Sequence, residues 1–149
     1  MNIINKRDEH YMNIALKEAL IAYNEDEIPI GAIIVHKDKI ISRGYNQSQK
    51  LKDSTAHAEM IAITSAQNKI GSKYLNECEL YVTLEPCMMC SGAIYLSKIS
   101  RVVYGLDDKE KGYLRLSKSK TNNNLIIESN ILENESKELL DSFFFKLRS

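Results

Sequence analysis

The chain carries no net charge: its twenty basic and twenty acidic side chains cancel. A basic patch can sit inside a neutral total, so the balance argues neither for nor against a nucleic-acid partner. It also lacks any apolar run near the ~20 residues needed to cross a bilayer, which speaks against a membrane protein. The opening stretch MNIINKRDEHYMN has neither the apolar core nor the small-residue cleavage site of a secretory signal. A cytoplasmic protein is the expectation. Three cysteines are too few, and odd in number, for a disulfide framework. Cys78, alone in NECEL beside an expected strand, reads as a small buried hydrophobe. No repeat and no linker with a shift in composition interrupts the 149 residues. That length predicts a single domain over 1–149. Hydrophobic residues at 44% and charged residues at 27% are those of an ordinary globular chain.

What is present begins with periodicity. From about residue 8 to 24, Met12, Ala15, Leu16, Ala19, Leu20 and Tyr23 recur at helical spacing. IPIGAIIVHKDKIISRGYN reads as a hairpin with its turn at HKDK. Asp53, Ser54 and Thr55 are good N-cap residues and predict the start of a second helix there. CELYVTL reads as a strand, and Pro86 is placed to open a third helix, PCMMCSGAIYLSK. SRVVYG is a short strand, LDDKEKGYLRLSKSKTNNN a polar loop with room for some helix, and LIIES a last strand. TNNN suggests a loop tip. Leu132, Ser136, Leu139, Leu140, Phe143, Phe144 and Leu147 mark one face of a closing helix. Strands alternating with helices predict an α/β layer fold, and the hairpin makes its sheet mixed.

Two motifs do not fit a packing pattern. TAHAEM places His57 and Glu59 two apart, nearly opposite on a regular helix. LEPCMMC places Cys87 and Cys90 three apart, on one face. Both fall at expected helix starts, where first-turn side chains fan around the helix end and can converge. The helix dipole there also favours a thiolate. One imidazole and two thiolates are three protein ligands for a tetrahedral zinc, with the fourth position left for water. Glu59, near the metal but not needed as a ligand, is placed to move protons. A redox CxxC would not call for a histidine and a glutamate at a second helix start. A structural zinc would want a fourth protein ligand, and His10 and His36 both lie in stretches that read as surface.

With these residues, and with the longer strings IPIGAIIV, GYN, TAHAE, LYVTLEPCMMCSGAI and RVVYG, the chain resembles the bacterial tRNA-specific adenosine deaminases of the cytidine deaminase superfamily. The resemblance implies a three-layer α/β/α sandwich around a five-stranded mixed sheet, a homodimer, and one zinc per chain. It implies that the zinc-activated water attacks carbon six of adenine at the wobble position of a tRNA anticodon loop. It further implies that Asn46 bonds the nucleoside and that Ala58 reads the purine edge through its backbone. Ile28, Pro29, Ile30 and Leu84 would line the walls, and Asp108 would contact the RNA backbone. Two other readings stay open: a deaminase of a free base or nucleoside, cytosine or guanine first, and a non-catalytic zinc-stabilised binding module. The chain departs from the family after Gly112, where small and glycine-rich residues are usual and YLRLSKSK stands instead. From Asp107 to Lys120, five basic residues face three acidic ones, an excess that suits phosphate contact. Lys146 and Arg148 on the closing helix would add to it.

Overall fold

The computed structural model describes residues 3–118 and 124–149. Helix α1 spans Ile3–Asn24. Its buried face is Met12, Ala15, Ala19 and Ala22, whereas Leu20 is 48% exposed. The expected stripe is therefore turned slightly. Small side chains face the sheet because they let the helix lie close against it, and the bulky leucine turns outward.

Strands β1 (Gly31–His36) and β2 (Lys39–Tyr45) form the expected hairpin. Lys37 and Asp38 both have positive φ, 50° and 63°, as a two-residue turn matched to strand twist requires. β3 (Cys78–Leu84) and β4 (Arg101–Leu106) follow, with α2 (Ala58–Ile70) before β3 and α3 (Met88–Ser97) between them. The polar loop holds a short α4 (Leu114–Lys118), and β5 (Ile126–Glu128) and α5 (Glu133–Arg148) complete the chain. The proposed loop tip at TNNN, and Lys120 with it, fall almost wholly outside the described residues.

The sheet order is β2-β1-β3-β4-β5. β1 pairs antiparallel with both β2 and β3, while β3, β4 and β5 run parallel. This is the five-stranded mixed sheet that the resemblance implied. Alternation along the central strands divides the core in two. Ala32, Ile34, Leu80, Val82 and Val102 pack with Ala62, Ala66 and Ile94 of α2 and α3. Ile33, Val35, Tyr81 and Val103 pack with Tyr11, Met12 and Ala15 of α1. Helix α5 joins α1 against β4, burying Leu140 and Phe143. The result is three layers. Cys78 is fully buried, as expected of a small hydrophobe, and burial pushes its thiol up. Among the described residues no helix is long and apolar enough to cross a membrane.

Candidate metal centre and active-site cavity

Both expected helix starts move toward the metal donors. Helix α2 begins at Ala58 with His57 as its N-cap, two to four residues after the expected caps Asp53, Ser54 and Thr55. Asp53 instead caps its own turn, accepting from the Thr55 amide (2.9 Å) and hydroxyl (2.8 Å). Helix α3 begins at Met88 with Cys87 as N-cap, so Pro86 precedes the cap instead of opening the helix. Neither cap residue uses its side chain to satisfy the helix end. His57 and Cys87 are thus left free to point at one spot beside two positive helix termini.

There the donors meet. Nδ1 of His57 lies 3.6 Å from Sγ of Cys87 and 3.6 Å from Sγ of Cys90. All three donor atoms fall within 4.8 Å of one another. Tetrahedral bonding with Zn–S near 2.3 Å and Zn–N near 2.05 Å requires an N···S separation of about 3.6 Å. The donor set fits zinc in type and in spacing. The hydrogen bond with Cys90 brings Cys87 down to about 3 against an opposing burial effect, while Cys90 is pushed up by the same bond. Metal binding to such a pair would favour both thiolates. His57 is raised, first by its hydrogen bond to Cys87.

Glu59 is 4% exposed, and burial pushes its carboxyl up to about 7. A cation held by the neighbouring donors would favour the ionised carboxylate. His57, Glu59 and Cys87 share a cavity of about 400 Å³ with Asn46, Ile28, Ile30, Leu84 and Asp108, a volume suited to a small-molecule group. Asn46 is 4% exposed, and its Oδ1 has no hydrogen-bond partner among the described residues. Such a buried acceptor is costly unless a ligand completes it. Pro29 and Ala58 are buried and do not line the cavity. Of the expected walls, Ile28, Ile30 and Leu84 line it. A wider groove of about 830 Å³ adjoins, sharing Ile28, Ser48 and Phe144 but holding no metal donor.

Other lining residues were missed from sequence. Asp107, Lys109, Glu110 and Lys111 arrive with the loop after β4, Leu140, Asp141 and Phe144 with α5, and Ser48 with the loop after β2. Glu85 was the most legible of the missed residues, since it stands between the strand end and Pro86. Asp108 is less free than expected, because its Oδ1 accepts from the Glu110 and Lys111 amides, each at 3.1 Å. Lys146 is also engaged. Its ammonium lies 3.2 Å from Asp26 and 4.1 Å from the Tyr23 ring centroid, so it ties α5 to α1.

Comparison with known proteins agrees with this geometry. A family model of the cytidine and deoxycytidylate deaminase zinc-binding region matches residues 5–106. A tRNA-specific adenosine deaminase of Aquifex aeolicus is 46% identical over 146 residues, spanning 95% of this chain and 96% of that one. One from Bacillus subtilis is 40% identical over 147 residues, spanning 95% and 91%. A solved tRNA:A34 deaminase superposes with a TM-score of 0.83 at 39% identity, covering 88% of this chain and 99% of its own. A guanine deaminase from Nitrosomonas europaea shares the fold, with a TM-score of 0.82 at 23% identity. The chain belongs to the cytidine and deoxycytidylate deaminase family and carries its zinc-binding region.

Proposed function

We propose that this chain is a zinc-dependent hydrolase converting adenosine to inosine at the wobble position of tRNA anticodons, with 1–149 as one deaminase domain acting in the cytoplasm. The observation that carries the reading is a three-donor centre that opens through His57 and Cys87 onto one cavity, together with a buried carboxyl and an unpartnered amide oxygen. The near full-length likeness to tRNA-specific adenosine deaminases supports the substrate. His57, Cys87 and Cys90 would hold one zinc per chain. When bound, zinc supplies the Lewis acidity that makes water a nucleophile near neutral pH.

The chain's own residues do the rest. Glu59 accepts the proton that the attacking water gives up and returns it to the purine ring nitrogen. It then helps ammonia leave, so that adenosine and water become inosine and ammonia. Asn46 bonds the nucleoside, and the Ala58 amide, a free donor in the first turn of α2, reads the purine edge. Ile28, Ile30 and Leu84 hold the base between apolar walls. Asp108 faces the RNA backbone with the carboxylate oxygen that its turn leaves over, which can accept from a ribose 2′-hydroxyl. An anticodon loop suits this pocket because its bases are already single-stranded and cost little to splay out. The test offers the purified zinc protein tRNA, adenosine, cytosine and guanine side by side and measures ammonia and inosine. Inosine from tRNA alone is expected, and turnover of a free base with tRNA untouched would replace this reading.

The same proposal includes a homodimer. Met88 and Leu96 of α3 are 67% and 79% exposed, and Leu116 of α4 is 56% exposed, apolar side chains that a second copy of the chain would cover. Light scattering at assay concentration is expected to give twice the chain mass. An active monomer would sink this part.

A further inference from the structure

Arg115 stands in YLRLSKSK, the stretch that departs from the family pattern, and the proposed reaction gives it no task. Its guanidinium reaches back from α4 to two acids of the cavity. Nε lies 3.6 Å from Glu85 Oε2, and Nη2 lies 3.7 Å from Asp107 Oδ1. Glu85 is buried, at 4% exposure. Its other oxygen accepts from the Asp108 amide at 3.2 Å. The chain then turns so tightly over Glu85 that a Cβ on Gly112 would collide with that carboxylate and with the Asp108 carbonyl. The Tyr113 amide closes the turn on the Pro86 carbonyl at 3.0 Å. Asp107 is held from behind by the Tyr104 hydroxyl, which donates to Oδ1 at 2.7 Å. Residues 107–112 are thus folded around one buried carboxylate next to Pro86 and Cys87.

The charges make the point. Glu85 and Asp107 both line the cavity, where the proposed substrate is a polyanion. Two carboxylates at such a mouth repel phosphate and each other unless a cation offsets them. A guanidinium, planar and forked, can span both, and a lysine ammonium cannot. We propose that Arg115 is a positioning residue that offsets Glu85 and Asp107 together and so holds the 107–112 loop, with Asp108, in its RNA-facing form. Asp107 and Arg115 are then a coupled pair, the acid lining the cavity and the guanidinium meeting it from α4. This inference rests on the RNA-substrate reading.

The test is a double-mutant cycle on the zinc-loaded protein, with an anticodon stem–loop RNA as substrate. Arg115→Ala is expected to raise KM about tenfold with kcat within about twofold. In the Asp107→Asn background the same substitution is expected to raise KM only about twofold. Arg115→Lys should fall between. Arg115 is 59% exposed, so the variants are expected to keep zinc and fold, which metal analysis and melting verify. A direct phosphate contact by Arg115 predicts the same cost in both backgrounds, and that result would overturn the inference. So would an unchanged KM, or a lowered melting temperature with KM unaltered. Failure of the unmodified protein to deaminate the stem–loop would overturn the substrate reading itself and this inference with it.

Discussion

Glu59 and His57 lie two residues apart, and the separate duties proposed for them follow from where the helix begins. As N-cap, His57 turns its ring toward the sulfurs, and Glu59, the second residue of the helix, lines the cavity. Glu59→Ala is therefore expected to keep its zinc and its fold and to lose ~100- to 10,000-fold in deamination rate. Zinc content, melting temperature and inosine formation on one preparation check this. Loss of zinc would make Glu59 a ligand, and a lower melting temperature with activity kept would make it a cap. Cys87→Ala serves as the contrast, losing zinc and activity together. The three metal donors were legible in the sequence because metal ligands are rare side chains at fixed spacing. Glu85 was not. Its task depends on Asp108, 23 residues later, folding back over it, and no local pattern announces that return.

Helices and strands were legible in kind and less so at their edges. The β3 boundaries follow from the composition of CELYVTL, but α2 and α3 start later than their best capping residues suggest. Local propensity favours Asp53, Ser54 or Thr55 as cap, yet the metal geometry needs His57 at that place, and tertiary demand outweighs a preference worth about 1 kcal/mol. Helix α2 is also held at a set height above the sheet. At Gly44 of β2, a Cβ would come 2.5 Å from the Ala58 carbonyl and 3.0 Å from the Ala62 amide. Gly44→Ala must push α2 away from β2, carrying His57 and Glu59 with it. A loss of about 1–3 kcal/mol in stability is expected, together with reduced deamination at a temperature where the variant remains folded. Unchanged activity in a destabilised variant would show that the helix start does not follow the strand.

At the end of the sheet away from the metal site, one ionic cluster ties α1 to β3 and β4. Asp8 accepts from Arg101 at 2.7 and 2.9 Å and from the Tyr81 hydroxyl at 2.7 Å, and Arg101 also reaches Glu79 at 2.7 Å. Burial pushes the Asp8 carboxyl up, but these bonds outweigh it and hold the group below its ordinary value. Its ionised form is thus favoured more in the folded chain than in the unfolded one. The resulting stability is present above the unfolded-state value of about 3.9 and is lost as pH falls through the folded value. Asp8→Asn is expected to cost on the order of 3 kcal/mol at pH 7, the range for breaking one partner of a buried pair. The difference from the unmodified protein should narrow progressively below about pH 4. Urea unfolding across pH 7 to 3 measures it, and a constant difference would mean that the carboxylate charge is not what holds the cluster.

No spacing foretold that cluster, because its members come from residues 7, 8, 79, 81 and 101 and only the fold brings them together. The layer architecture and the zinc donors could be read from the chain alone, since period-two and helical patterning and ligand chemistry are properties of short stretches. The cavity walls from α5, the loop closed over Glu85 and the true helix starts came only from the folded chain. Each is a contact between distant segments, whose energy is set by packing and buried charge rather than by local preference.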